Sequence, residues 1–396
     1  MRRPIDRAAA RLGRLLDRLA DALFATPLLV LLGIGLAHGA LTHGIWDYVV
    51  SSELLELSRN LGEPVLLDKP QEQWVMSSTL GPALAALVGM NGSAGTFLVL
   101  HLAVFVVVST AGFLLLRCRV GDRPTKVFLV AVFLTPFYNV MMTWLGSPDP
   151  FTLAFVFALV LGWRNPAVVA VAGALMGVNH AEQGVVIVTL TALYLGMAHG
   201  APERWAIARF VAACGIAIVL SRVGLETFYH LADIGPQMSR TELRQQTGTW
   251  SYVRSALSNP WTALFSTYGL FWPVLVLLWT AAPDRRLAWA FLVSSGLGLA
   301  ITCMATLDIG RVAMLVGFVP LAFFLTSRQF VELGAWEHPL VRRLIAAGAF
   351  AGLLAPRIVV WDGKVHASVT WYTVQRAWAL VTGAEPPVLD PFHGLF

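Results

Sequence analysis

At 396 residues, 57% hydrophobic and only 13% charged, the chain is too apolar for a water-soluble domain. Its net charge of +5 sits largely in short basic clusters between apolar runs; no basic groove motif accompanies them, so no nucleic-acid partner is expected. Three scattered cysteines, Cys118, Cys214 and Cys303, show neither a disulfide framework nor metal-ligand spacing.

Taken in chain order, residues 1–22 place Leu12, Leu15, Leu16 and Leu19 on one helical face among arginines, which predicts an amphipathic helix on the cytoplasmic surface of an anionic leaflet. No clean small-residue cleavage site follows, so this stretch does not read as a cleaved signal peptide. Apolar runs near the roughly 20 residues that a bilayer demands then predict crossings near 23–45, 94–117, 125–145, 150–163, 166–180, 183–200, 205–228, 260–281, 287–306, 309–327 and 341–360. The expected architecture is all-α and polytopic, with about eleven (ten to thirteen) transmembrane helices in one catalytic domain over 23–361. Residues 46–93 form a long first extracytoplasmic loop with interfacial helices, and 362–396 an extracytoplasmic tail. Within that loop, 75–91 is apolar but broken by Gly81, Pro82 and Gly89. If 75–91 does not cross, the basic segments 117–126, 164, 203–209, 284–286 and 328–343 all fall on the cytoplasmic side with the N-terminus.

The opposite face then collects 46–78, 146–149, 179–182, 229–258 and 307–311, and with them most of the candidate chemistry. Asp47, beside Tyr48, leaves the first crossing; desolvation at a cavity mouth makes a carboxylate a better base, and an N-cap for the helix 48–60 is the plainer reading. Lys69 is a compact cation suited to a phosphate, or a lysine snorkelling to headgroups. Asp149, between Pro148 and Pro150, stands at a helix start, as a pocket acid or a simple cap. Asn179-His180-Ala181-Glu182-Gln183 puts polar groups between two apolar spans, where His180 and Glu182 are either functional or ordinary loop residues. Arg311 can fork onto phosphate oxygens or pair with Asp308, and Arg240 and Arg244 offer further phosphate contacts or belong to a solvated loop helix.

The order of Asp47, helix 48–60, Asp68-Lys69-Pro70 with Trp74, the Gly89–Gly92 break and Ser147-Pro148-Asp149 resembles the integral-membrane glycosyltransferases of the C-type fold. The nearest likeness is to the polyprenyl-phosphate-sugar-dependent aminoarabinose and protein mannosyl transferases. It covers roughly residues 20–200; beyond that only hydropathy and Asp308/Arg311 match. Gln71-Glu72-Gln73-Trp74 stands where those enzymes have Pro-Leu and an aromatic pair, and Asp47 stands alone where many have two adjacent acids.

The resemblance implies sugar transfer with inversion from a polyprenyl-phosphate donor to an extracytoplasmic glycan, glycolipid or protein acceptor, in a bacterial inner (plasma) membrane. Asp47 would be the base, with Lys69, Arg311, Arg240 and Arg244 binding the lipid phosphate. Asp149, His180, Glu182, Trp74 and Tyr48 would line the acceptor or sugar pocket. No resident cofactor is expected; a divalent metal is left open. Two alternatives accompany this reading: a glycan polymerase or ligase using a diphosphate-linked donor, and a secondary transporter, which would usually show related halves and discontinuous helices.

Overall fold

The computed structural model describes residues 4–43, 51–61, 78–233, 248–258, 260–282, 284–306, 309–332, 334–354, 357–361, 364–368 and 382–383. They are helical apart from one short hairpin. The amphipathic N-terminal stretch is α1 (Pro4–Ala25), which bends by 105° at Thr26–Pro27 into the apolar α2 (Leu28–His43). Lys126, almost wholly buried, holds the bend by donating to the Phe24 carbonyl at 2.8 Å while pairing with Asp122 at 2.7 Å. Two short helices follow, α3 (Ser51–Arg59) and α4 (Leu80–Leu87). At eight residues α4 is too short to cross a bilayer. It packs against α3 and the following helix.

Next come α5 (Ala94–Val120), α6 (Asp122–Leu134) and α7 (Phe137–Thr143). Ser93 and Thr96 form a reciprocal capping box at the start of α5. Pro136 lacks an N–H and holds Thr135 extended, so the crossing expected over 125–145 is two helices. The chain continues through α8 (Asp149–Gly162), α9 (Pro166–His199) and α10 (Arg204–Leu231), then α11 (Thr249–Ser258) and α12 (Pro260–Tyr268). A 3-10 turn, Gly269–Phe271, leads into α13 (Trp272–Ala281). That turn crosses the α6–α7 break: Gly269 has φ +54°, and a Cβ there would lie 2.5 Å from the Leu134 carbonyl oxygen. Two discontinuous helices therefore meet at their interruptions. The last helices are α14 (Arg285–Ala305), α15 (Ile309–Leu325), α16 (Arg328–Glu332) and α17 (Pro339–Leu354).

Four helical stretches among the described residues are long and apolar enough to cross a membrane: Ala94–Val120, Pro166–His199, Ala201–Leu231 and Arg285–Ala305; the bent α1–α2 pair would make a fifth. Asp149–Gly162, Gly269–Thr280 and Ile309–Leu325 are apolar but shorter. Pro166–His199 is not a straight rod. At 34 residues it would span about 51 Å. Yet Trp163 before it stacks on His199 at its end, with centroids 6.2 Å apart, and Arg164 pairs with Glu203 at 2.6 Å. The reversal is at His180 (φ −164°, ψ 75°), and a Cβ on Gly184 would lie 2.7 Å from Met176 Cγ across the fold. Residues 166–179 and 181–199 are thus two arms of a hairpin, as the expected turn at 179–182 requires, but with almost no loop between them. Gly173 and Gly177 let α10 lie against the first arm, where a Cβ would meet the Cys214 carbonyl at 2.6 Å and the Ile218 carbonyl at 2.5 Å.

α15 forms the centre. Nearly all its side chains are buried, as expected of a helix apolar all round. Phe318 stacks on Phe137 (4.8 Å between centroids) and meets Phe128 and Phe157. After α17 the chain forms antiparallel strands β1 (Arg357–Trp361) and β2 (Lys364–Ser368), with Trp361 opposite Lys364, and β1 packs on α12 and α15. The apolar run expected to cross over 341–360 therefore leaves its helix at Leu354. Asp362-Gly363 between two β-branched runs is the hairpin signal in that sequence.

Basic residues gather at one end of the bundle. Arg119 donates to the Val160 and Leu161 carbonyls, Arg164 meets Glu203, and Arg123 pairs with Glu337. On the same side α1 docks on α17, where Asp17 receives both Nε and Nη2 of Arg343 at 2.8 Å and Asp21 pairs with Arg342.

Candidate functional site

The opposite end begins with the turn before α8. Gly146 takes φ +92°, and the Ser147 hydroxyl accepts from the Asp149 N–H at 3.3 Å. Pro148 and Pro150 fix the first turn, leaving Asp149 at the positive end of the helix. The residue is fully buried, and neither carboxylate oxygen accepts a hydrogen bond. Its counter-charge is Arg311 in the first turn of α15, with Nε 3.5 Å from Oδ2 and a side chain only 6% exposed. The guanidinium also lies over the Trp144 ring, 4.4 Å from Cζ to the centroid. Asp149 at the helix start thus has a charged partner from a distant element, while Asp308, the local partner expected for Arg311, lies outside the described residues.

The α9 fold-back supplies the second wall. Asn179 donates to the Pro148 carbonyl at 3.0 Å, and the Thr152 hydroxyl donates to Gln183 Oε1 at 3.2 Å, tying the turn to the start of α8. The Asn179 carbonyl oxygen is buried without a hydrogen-bond partner. His180 is buried, and its Nδ1 stands 3.5 Å from Glu182, whose side chain is 45% exposed. Non-helical backbone at His180 interrupts the ladder, and the Val178 carbonyl accepts from the Thr79 N–H at 2.9 Å. The Thr79 hydroxyl is 2.7 Å from the Tyr229 hydroxyl, so the segment before α4 clips the α9 turn to the end of α10.

Beside these groups an apolar groove of about 540 Å³ runs between α8 and the first arm of α9, past Phe151, Val171 and Leu175 to Leu80 and Asn179. Its one polar lining residue is Asn179, in the α9 turn. His101, buried in the otherwise apolar α5, closes the site behind Phe151, with Nδ1 2.9 Å from the Phe97 carbonyl.

Asp149, Arg311, His180 and Glu182 are thus brought to one end, with Asp149 and Arg311 in direct contact. Asp47, Tyr48, Lys69, Trp74, Arg240 and Arg244 lie outside the described residues. Among the described residues no three His, Cys, Asp or Glu side chains come together as a metal would require. Trp144, Thr152, Thr79 and His101 carry no motif of their own. Their signal is a polar or indole group on an apolar helix or at its end. No protein-family model, curated protein or solved structure matches the chain.

Proposed function

We propose that the protein is a membrane glycosyltransferase that moves a sugar from a polyprenyl-phosphate donor to an acceptor hydroxyl outside the cytoplasm, with inversion. The observation that carries this reading is the buried Asp149–Arg311 pair at the end remote from the basic clusters, beside a groove of lipid-like lining. Burying an ion pair inside a bundle costs the desolvation of both charges, and such groups mark substrate or ion paths. The groove, whose polar end is Asn179, suits a prenyl tail, and Arg311 at the same end of the bundle suits the phosphate. In this reading α2, the broken helices and the two arms of α9 complete a set of about eleven crossings. On the same reading the N-terminus is cytoplasmic by the distribution of arginine, and the membrane is the bacterial inner membrane that the resemblance implies.

The acceptor oxygen attacks the anomeric carbon as the carbon–oxygen bond to phosphate breaks. The acceptor proton passes to the Asp47 carboxylate, and the departing lipid phosphate keeps the bonding electron pair. Lys69, Arg311, Arg240 and Arg244 offset its charge, a contribution of roughly 3–4 kcal/mol per well-placed contact. Asp149 and the Trp144 ring hold Arg311 in place, while His180, Glu182, Tyr48 and Trp74 contact acceptor or sugar. The test is to incubate the purified full chain with a panel of polyprenyl-phosphate sugars and follow release of free lipid phosphate. Asp47→Ala should abolish release while donor binding persists; full activity in that variant would overturn the assignment. Release only from diphosphate-linked donors would identify the polymerase or ligase class instead.

A secondary transporter stands as the second reading, because α6–α7 and α12–α13 are discontinuous helices that meet at their breaks. The buried pair, however, joins the first turns of α8 and α15 and not their middles, which favours a reaction at the membrane surface. Substrate accumulation in vesicles without lipid-phosphate release would select the transporter.

A further inference from the structure

The basic end holds a second cavity, of about 650 Å³, which the proposed reaction does not use. Arg119, Arg164 and Arg328 stand at its rim, and Trp163, Tyr194 and Phe323 form its buried floor. The floor comes from the α9 hairpin: its second arm brings Tyr194 under Trp163, where the Tyr194 ring lies 5.7 Å from that of Phe323. The Tyr194 hydroxyl is buried and has no hydrogen-bond partner, a costly arrangement inside a bundle unless something in the cavity satisfies it. Two rim arginines carry carboxylates, Arg164 with Glu203 and Arg328 with Glu332, each at 2.6 Å. These pairs are largely solvent-exposed, the Arg328 side chain 90% so, and exposed pairs hold weakly enough to yield to a phosphate. Arg119 faces no such competition from its contacts with the Val160 and Leu161 carbonyls, which use Nη1 alone. His199, stacked on Trp163, also lines the cavity, and Glu332, paired with Arg328, is the one carboxylate among the lining residues.

We propose that this cavity binds an anionic phospholipid from the adjoining leaflet, with its phosphate among Arg119, Arg164 and Arg328 and an acyl chain over Phe323 and Tyr194. A cationic rim above an aromatic floor fits an amphiphile, whereas a free phosphate would leave the floor uncovered. The proposal is independent of the glycosyltransferase reading.

The test is native mass spectrometry of the full chain in detergent, titrated with dioleoyl phosphatidylglycerol, dioleoyl phosphatidylcholine or soluble glycerol phosphate. Phosphatidylglycerol should bind roughly tenfold or more tightly than phosphatidylcholine. The double variant Arg164→Gln/Arg328→Gln should lose that preference. Arg204→Gln/Arg209→Gln removes the same charge on α10, at residues that do not line the cavity, and should retain it. Arg119 is left intact because it holds the end of α8. Tyr194→Phe removes only the hydroxyl and should weaken binding by a few-fold. Equal binding of both lipids, an unaltered preference in Arg164→Gln/Arg328→Gln, or competition by glycerol phosphate would each overturn the proposal.

Discussion

Both ends of the bundle are fastened by arginine–carboxylate pairs, but the pairs live in different surroundings. At the basic end Arg343 and Asp17, Arg164 and Glu203, and Arg328 and Glu332 are substantially exposed to water. At the other end Arg311 and Asp149 are buried under the α9 turn. Exposed pairs contribute about 0–1 kcal/mol and are screened by salt, so they orient segments more than they stabilise them. A buried pair must offset the desolvation of two ions, and removing one partner strands the other. The same chemistry serves as anchorage at one end and as a fixed, pre-aimed charge at the other.

The largest effect should follow from breaking the buried pair. Arg311→Ala leaves the Asp149 carboxylate inside the bundle without its counter-ion and should cost about 3–5 kcal/mol. A thermal melt in detergent measures this. Asp149→Leu/Arg311→Met should recover most of that stability yet show no lipid-phosphate release, separating packing from chemistry. If the double variant is fully active, Arg311 has no part in the reaction.

Next in size is Gly269→Ala, which would place a Cβ against the Leu134 carbonyl at a positive φ. The expected loss is about 1–3 kcal/mol in the same melt. A smaller change, Thr79→Val, removes the hydroxyl facing Tyr229 but keeps the backbone bond to Val178. It should cost about 1 kcal/mol. Faster amide exchange around 178–180 would accompany it, and unchanged exchange there would show that the clip does not hold the turn.

The smallest effect belongs to the exposed end. Hydrogen bonding from Arg343 holds the Asp17 carboxyl below its ordinary value of 3.8. A carboxylate depressed in the folded state contributes stability that is fully present above the ordinary value and is lost as pH falls through the folded one. The protection of α1 amides relative to their intrinsic exchange should therefore stay flat down to about pH 4 and fall below it. Asp17→Asn should remove that step, and raised salt should blunt it.

The helical plan was legible because length and apolarity are written directly into a membrane chain. The gathering of Arg119, Arg164 and Arg286 at one end could be read the same way, as charge between apolar runs. The turn at His180 was readable from four polar residues, Asn179, His180, Glu182 and Gln183, set within five positions. The Asp149–Arg311 contact was not, because it joins residues 162 positions apart whose plainer readings are local, a helix cap for Asp149 and a pair with Asp308 for Arg311. The break at Pro136 was visible as a residue type, but its crossing by Gly269 depends on two distant backbones approaching closely. The β1–β2 hairpin was passed over because its valines and isoleucine also extend an apolar run.

The hairpin within α9 reverses on essentially one residue, so there is no slack in which to absorb a change of register. A single amino acid inserted after His180 would rotate the whole second arm by about 100° relative to the first. Gly184 would turn away from Met176, and Tyr194 away from Phe323 at the far end. One pivot thereby sets the alignment of both cavities, and the length of chain at that point is as tightly specified as any side chain in them.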